Sequence, residues 1–113
     1  MVTANLDLKS TTGLRYVRAL CSCLGTNITT LRMVKAGNLV DAKPIVTISH
    51  MAKTVSQRSV TLDALIDYNL VVCTQAEHYK NKAAVRYTYT VTGFGLSVLS
   101  ELFGVQFYLI NHR

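Results

Sequence analysis

Ser56, Gln57, Arg58, Ser59 and Thr61 crowd hydrogen-bonding heads into one short run of the chain. Gln pairs bidentately with the edge of adenine, Arg with O6 and N7 of guanine, and Ser or Thr with a base or a phosphate oxygen. A helix that opens on such residues also directs its unpaired backbone N–H groups at any nearby phosphate, so Ser56 suits the double role of cap and phosphate contact. Downstream, Lys80, Lys82 and Arg86 sit in a polar stretch and suit the phosphate backbone or the minor groove, where they add salt-dependent affinity without reading sequence. Lys53, just upstream, can join them. Asp63 and Glu77 interrupt the basic face. The chemistry these residues imply is recognition of an anionic duplex.

Other reactive side chains form no comparable constellation. Cys21-Ser22-Cys23 is not a zinc spacing, and His50, His78 and His112 fall in segments with no evident reason to meet, so neither a metal nor a cofactor is expected. Cys21 lies on a helical stripe, where a cysteine acts as a small core residue, and no base or orienting group marks it as a nucleophile. No catalytic residue is expected, and the chain reads as a non-enzyme. Gly93-Phe94-Gly95 follows a strand of hairpin type and lacks a third glycine, so it is no phosphate loop and suits close helix packing instead. Tyr79, Tyr87 and Tyr89 could stack on single-stranded bases, but alternation puts Tyr87 and Tyr89 on one strand face, which points to burial.

The elements that must position the polar run can be read from spacing. Ser10, Thr11 or Thr12 caps a first helix to about Leu24, with Leu14, Val17, Leu20, Cys21 and Leu24 inward and Gly25 as its end. Asn27 caps a second, carrying Ile28, Leu31, Met33 and Val34 inward, closed by Gly37 and Asn38. Residues 39–47, with Pro44, make a connector ending in a short extended segment. From Ser49 a short helix carries Met51, Ala52 and Val55; Ser56 caps the next, with Leu62, Leu65 and Ile66 as its inward stripe and Val60 beside them. Asn69 stands where a left-handed cap is wanted. Residues 70–74 and 85–91 pair as a hairpin around a basic loop at 75–84, Thr92 caps a helix stopped by Gly104, and residues 105–113 form a last strand or short helix. Helix, turn, helix, then a basic strand-loop-strand is the order of a winged helix-turn-helix, with the helix pair at about 48–69 and the wing at about 70–92. The expected class is mainly α with a small β-hairpin (α+β).

Composition agrees with that class. The chain has 113 residues, enough for one domain over residues 1–113 and too few for two. Half of them are hydrophobic and 16% are charged, which favours a packed globule over a disordered tail. Twelve Lys and Arg against six Asp and Glu leave a formal charge of +6, suited to nucleic acid. No apolar run approaches a membrane span and the first residues lack a signal-peptide order, so a cytoplasmic protein with reduced Cys21, Cys23 and Cys73 is expected.

Residues 45–103, about half of the chain, resemble the winged-helix regulators of the multiple-antibiotic-resistance and phenolic-acid-repressor types. The resemblance rests on residues 48–55 as first motif helix and on Ser56-Gln57-Arg58-Ser59-Val60-Thr61 as start of the recognition helix. It rests also on Leu65-Ile66-Asp67-Tyr68-Asn69-Leu70-Val71 as helix exit, with Asn69 where such families usually have Gly, and on Arg86-Tyr87-Thr88-Tyr89-Thr90-Val91-Thr92-Gly93 as the strand leaving the wing. It implies a sequence-specific transcriptional regulator of double-stranded DNA, acting as a homodimer on pseudo-symmetric half-sites. The alternative is a winged-helix adaptor or inhibitor that binds another protein and no operator.

Overall fold

The computed structural model describes residues 10–36, 43–75 and 85–110. Lys80, Lys82, the loop expected to tip the wing and the Gly37-Asn38 helix stop lie outside the described residues. Within them the order is α1 (Thr11–Cys23), α2 (Ile28–Ala36), β1 (Ile45–Ile48), β2 (Ala52–Val55), α3 (Val60–Asp67), β3 (Val71–Gln75), β4 (Tyr87–Val91), α4 (Gly93–Phe103) and β5 (Gln106–Leu109).

Helix ends fall where local chemistry puts them. Ser10 Oγ accepts from Gly13 N at 2.9 Å, Asn27 Oδ1 from Thr30 N at 2.9 Å, and Thr92 Oγ1 from Gly95 N at 2.9 Å, each satisfying one of the donors a helix start leaves unpaired. α3 leaves through a Schellman turn in which Leu70 N bonds Leu65 O at 3.0 Å and Asn69 N bonds Ile66 O at 2.9 Å. That turn needs a positive φ, which Asn69 adopts at 64°, and Gly104 ends α4 at the same value.

The fold is α+β, with two sheets in place of a lone hairpin. β4 is the centre of a three-stranded antiparallel sheet of order β2-β4-β3, and β1 pairs in parallel with β5. One face of the larger sheet carries Val71, Tyr89 and Val91 into a core shared with Val17, Leu20 and Leu24 of the α1 region, Leu65 of α3 and Leu99 of α4. Val46 and Ile48 of β1 join the same core, so both sheets share it.

Three local expectations are corrected. The first motif helix over residues 48–55 does not form, because residues 52–55 are strand β2, paired Ala52↔Thr90 through Val55↔Tyr87. A hairpin of β3 and β4 alone would leave the second edge of β4 open; β-branched Thr54 and Val55 suit that edge, whereas a helix this short is marginal without strong packing. The cap of α3 is Ser59, whose Oγ accepts from Leu62 N at 2.9 Å, and not Ser56, because the chain needs residues 56–58 to turn from strand into helix. Met33 and Val60, expected inward or beside the inward stripe, are 69% and 88% exposed. The short α2 buries Ile28 and Leu31, three residues apart, and Met33 falls off that face.

Thr92 ties the exits of α3 and β4 to the start of α4: its hydroxyl donates to Asn69 O at 2.8 Å and its N–H to Leu70 O at 3.0 Å. α4 lies so near this junction that a Cβ on Gly95 would strike the Leu70 carbonyl oxygen, whereas one on Gly93 would meet nothing. Gly95→Ala is therefore expected to lower unfolding free energy by about 1–3 kcal/mol, the usual cost of overpacking against fixed backbone. Urea unfolding of Gly95→Ala beside Gly93→Ala checks this; equal midpoints would contradict the close approach.

Candidate nucleic-acid interface

The register of β2 and β4 sets Val55 opposite Tyr87, so residues 56–58, which follow β2, and Arg86, which precedes β4, emerge at the same end of the sheet. Ser56, Gln57, Arg58 and Arg86 are exposed there, while Ser59 and Thr61, in the cap and first turn of α3, are half-buried. The open Gln57 side chain keeps this turn available to a partner. Lys53 does not join the group: its strand position faces Tyr89, and its Nζ donates to Ser22 Oγ at 2.7 Å, drawing it toward the end of α1. Its charge partly offsets the burial that pushes the Cys23 thiol up. Burial, with Cys23 beside it, carries Cys21 to about 12, so Cys21 remains a protonated core group at neutral pH.

Arg58 is held in a defined pose. Its Nε approaches Asp63 Oδ1 and Oδ2 at 3.3 and 3.2 Å and its Nη2 meets Oδ1 at 3.1 Å, while the guanidinium lies over the Tyr87 ring, 5.6 Å from the centroid. Asp63 is in turn fixed from below, for the hydroxyl of fully buried Tyr89 donates to Oδ1 at 2.5 Å. In the sequence Asp63 stands out only as a break in the basic face. An Arg-Asp spacing of five residues is no helical neighbour pair, and the strand alternation that placed Tyr89 inside gave no sign of what its hydroxyl would meet.

The pair and its anchor shape each other's ionisation. The Tyr89 hydroxyl first, and the Arg58 guanidinium second, hold the Asp63 carboxyl below its ordinary range. Burial, then the hydrogen bond to Asp63, pushes Tyr89 from 10.0 up to about 12. Because Asp63 is depressed in the folded state, its contribution to stability is present above the ordinary carboxylate range and is lost as pH falls through the folded value. Because Tyr89 is raised, its contribution is complete below 10 and fades as pH rises toward about 12. Urea midpoints measured against pH are expected to fall on both limbs for the wild type, with a shallower acid limb for Asp63→Asn. An unchanged acid limb would mean that Asp63 carries no linkage.

Arg58, Ile66, Val72, Cys73 and Tyr87 line a cleft beside the turn, open to solvent and mostly apolar apart from the guanidinium. Among the described residues no three His, Cys, Asp or Glu side chains stand close enough together to hold a metal ion, and no helix is long and apolar enough to cross a membrane. No protein-family model, curated protein or solved structure matches this chain.

Proposed function

We propose that the chain binds double-stranded DNA and regulates transcription, reading the major groove with the turn at residues 56–58 and the first turn of α3 while the β3–β4 hairpin lies along the backbone. The observation that carries this reading is the common emergence of Ser56, Gln57 and Arg58 with Arg86 at one end of the sheet, which lets a single groove receive both. A helix set between β2 and β3, with the β2-β4-β3 order, supports this reading, because a winged helix sets its reading helix ahead of such a strand pair. The first helix of the usual pair is replaced by strand β2, and α1, packed on α3, provides the support behind the reading element. The net charge of +6 favours the encounter with an anionic duplex. Two copies on pseudo-symmetric half-sites would supply the buried surface that one short helix lacks. The protein acts by binding, with no chemical step. Duplex affinity measured against salt tests the reading: a steep fall supports it, and an absence of duplex binding at moderate salt turns the same surface over to a protein partner.

A further inference from the structure

We propose that Asp63 is a positioning residue that makes Arg58 a reader of guanine, an inference that rests on the duplex-binding reading above. A guanidinium is planar and offers its donors along two usable edges. Asp63 occupies the edge formed by Nε and Nη2, at 3.1 to 3.3 Å. The other edge, Nη1 with the second N–H of Nη2, has the parallel donor pair that matches O6 and N7 of one guanine.

Two features favour a base over a phosphate as the occupant of that edge. The carboxylate offsets the guanidinium charge, which weakens a sequence-independent pull on phosphate but leaves the direction of the donors intact. The pose is also restrained from two sides, since Asp63 grips one edge and Tyr87 supports the guanidinium plane from 5.6 Å, and the buried Tyr89 hydroxyl, 2.5 Å from Oδ1, restrains the carboxylate in turn. A fork oriented before contact loses less rotamer freedom on binding, and misplaced acceptors gain less from it. Stability alone is a poor reason for the arrangement, because the side chains of Arg58 and Asp63 are 49% and 37% exposed and a pair so open to water adds little to folding.

The test is selection of bound sequences from a random duplex pool by the wild type, followed by affinity measurements on the selected site and on the same site with its guanine changed to adenine. The wild type is expected to favour guanine at one position by about tenfold or more. Asp63→Asn is expected to reduce that preference to about twofold while binding random duplex as well as, or better than, the wild type, since a negative charge has been removed. Arg58→Lys retains the charge at an exposed position but lacks the fork, and should lose the same preference while remaining folded. Guanine preference that survives in either variant, or an Asp63→Asn protein that weakens on every sequence alike, would overturn the inference. A wild type that binds duplex steeply with salt but without a guanine position would also overturn it and leave the duplex-binding reading standing; no duplex binding at all removes both.

Discussion

Tyr89→Ala is expected to destabilise the protein by about 3–5 kcal/mol, as large aromatic truncations in packed cores do. Tyr89 is fully buried at the centre of β4, between Lys53 of β2 and Cys73 of β3 in register, and no neighbour can close the space without bending a strand. A domain of this size has about 5–15 kcal/mol in total, so the variant should unfold at much lower urea and lose a large part of its thermal margin. Tyr89→Phe separates the two roles of the ring. It preserves the packing and removes only the hydroxyl bonded to Asp63, for an expected cost of about 1.5 kcal/mol, typical of a hydrogen bond to a charged group. Circular dichroism in a urea series reads both variants. A Phe variant as unstable as the Ala variant would show that the hydroxyl, and not the ring, holds this part of the core.

Random-duplex affinity is expected to fall by about fortyfold between 50 and 200 mM salt if Lys80, Lys82 and Arg86 each displace a counterion, which corresponds to a log–log slope of about −2.7. The joint change of Lys80 and Lys82 to Ala should reduce the magnitude of that slope by about 2 and weaken all sequences equally. Fluorescence anisotropy with a labelled duplex measures both. A slope near zero would remove the electrostatic basis of the proposed function, and an unchanged slope in the double variant would remove those lysines from the interface.

Much of the fold was legible one element at a time. Asn27 and Thr92 cap the helices they were expected to cap, Ser10 does so as one of the three candidates at residues 10–12, and Asn69 adopts the left-handed turn that its position demanded. The alternation at residues 85–91 located β4 and the burial of Tyr89. The failures share a different origin. Residues 49–55 have the apolar spacing of a short helix, yet Ala52–Val55 became a strand because β4, more than thirty residues away, offered an unpaired edge. The displacement of the α3 cap from Ser56 to Ser59 follows from that pairing, since the chain must first leave the strand. The site was legible in the same uneven way. Ser56, Gln57 and Arg58 were identifiable as an outward polar surface, but neither the half-burial of Ser59 and Thr61, nor the departure of Lys53 toward Ser22, nor the grip of Asp63 on Arg58 had a local signal.

The amino-acid sequence by itself determined where α1, α2 and α4 begin, where α3 and α4 end, which residues of β4 turn inward, and that residues 56–58 face water, because a cap, a turn or an alternating strand is set by bonds and contacts only a few residues long. Tertiary structure alone decided that a weakly helical segment would become β2, that β1 would pair with β5, and that Arg58 would be held over Tyr87 by an Asp63 bonded to Tyr89. The physical reason is that backbone groups of an ambivalent segment, and the charged end of a side chain, settle against whichever partner the folded chain brings within hydrogen-bonding distance, and those partners lie far away in the sequence.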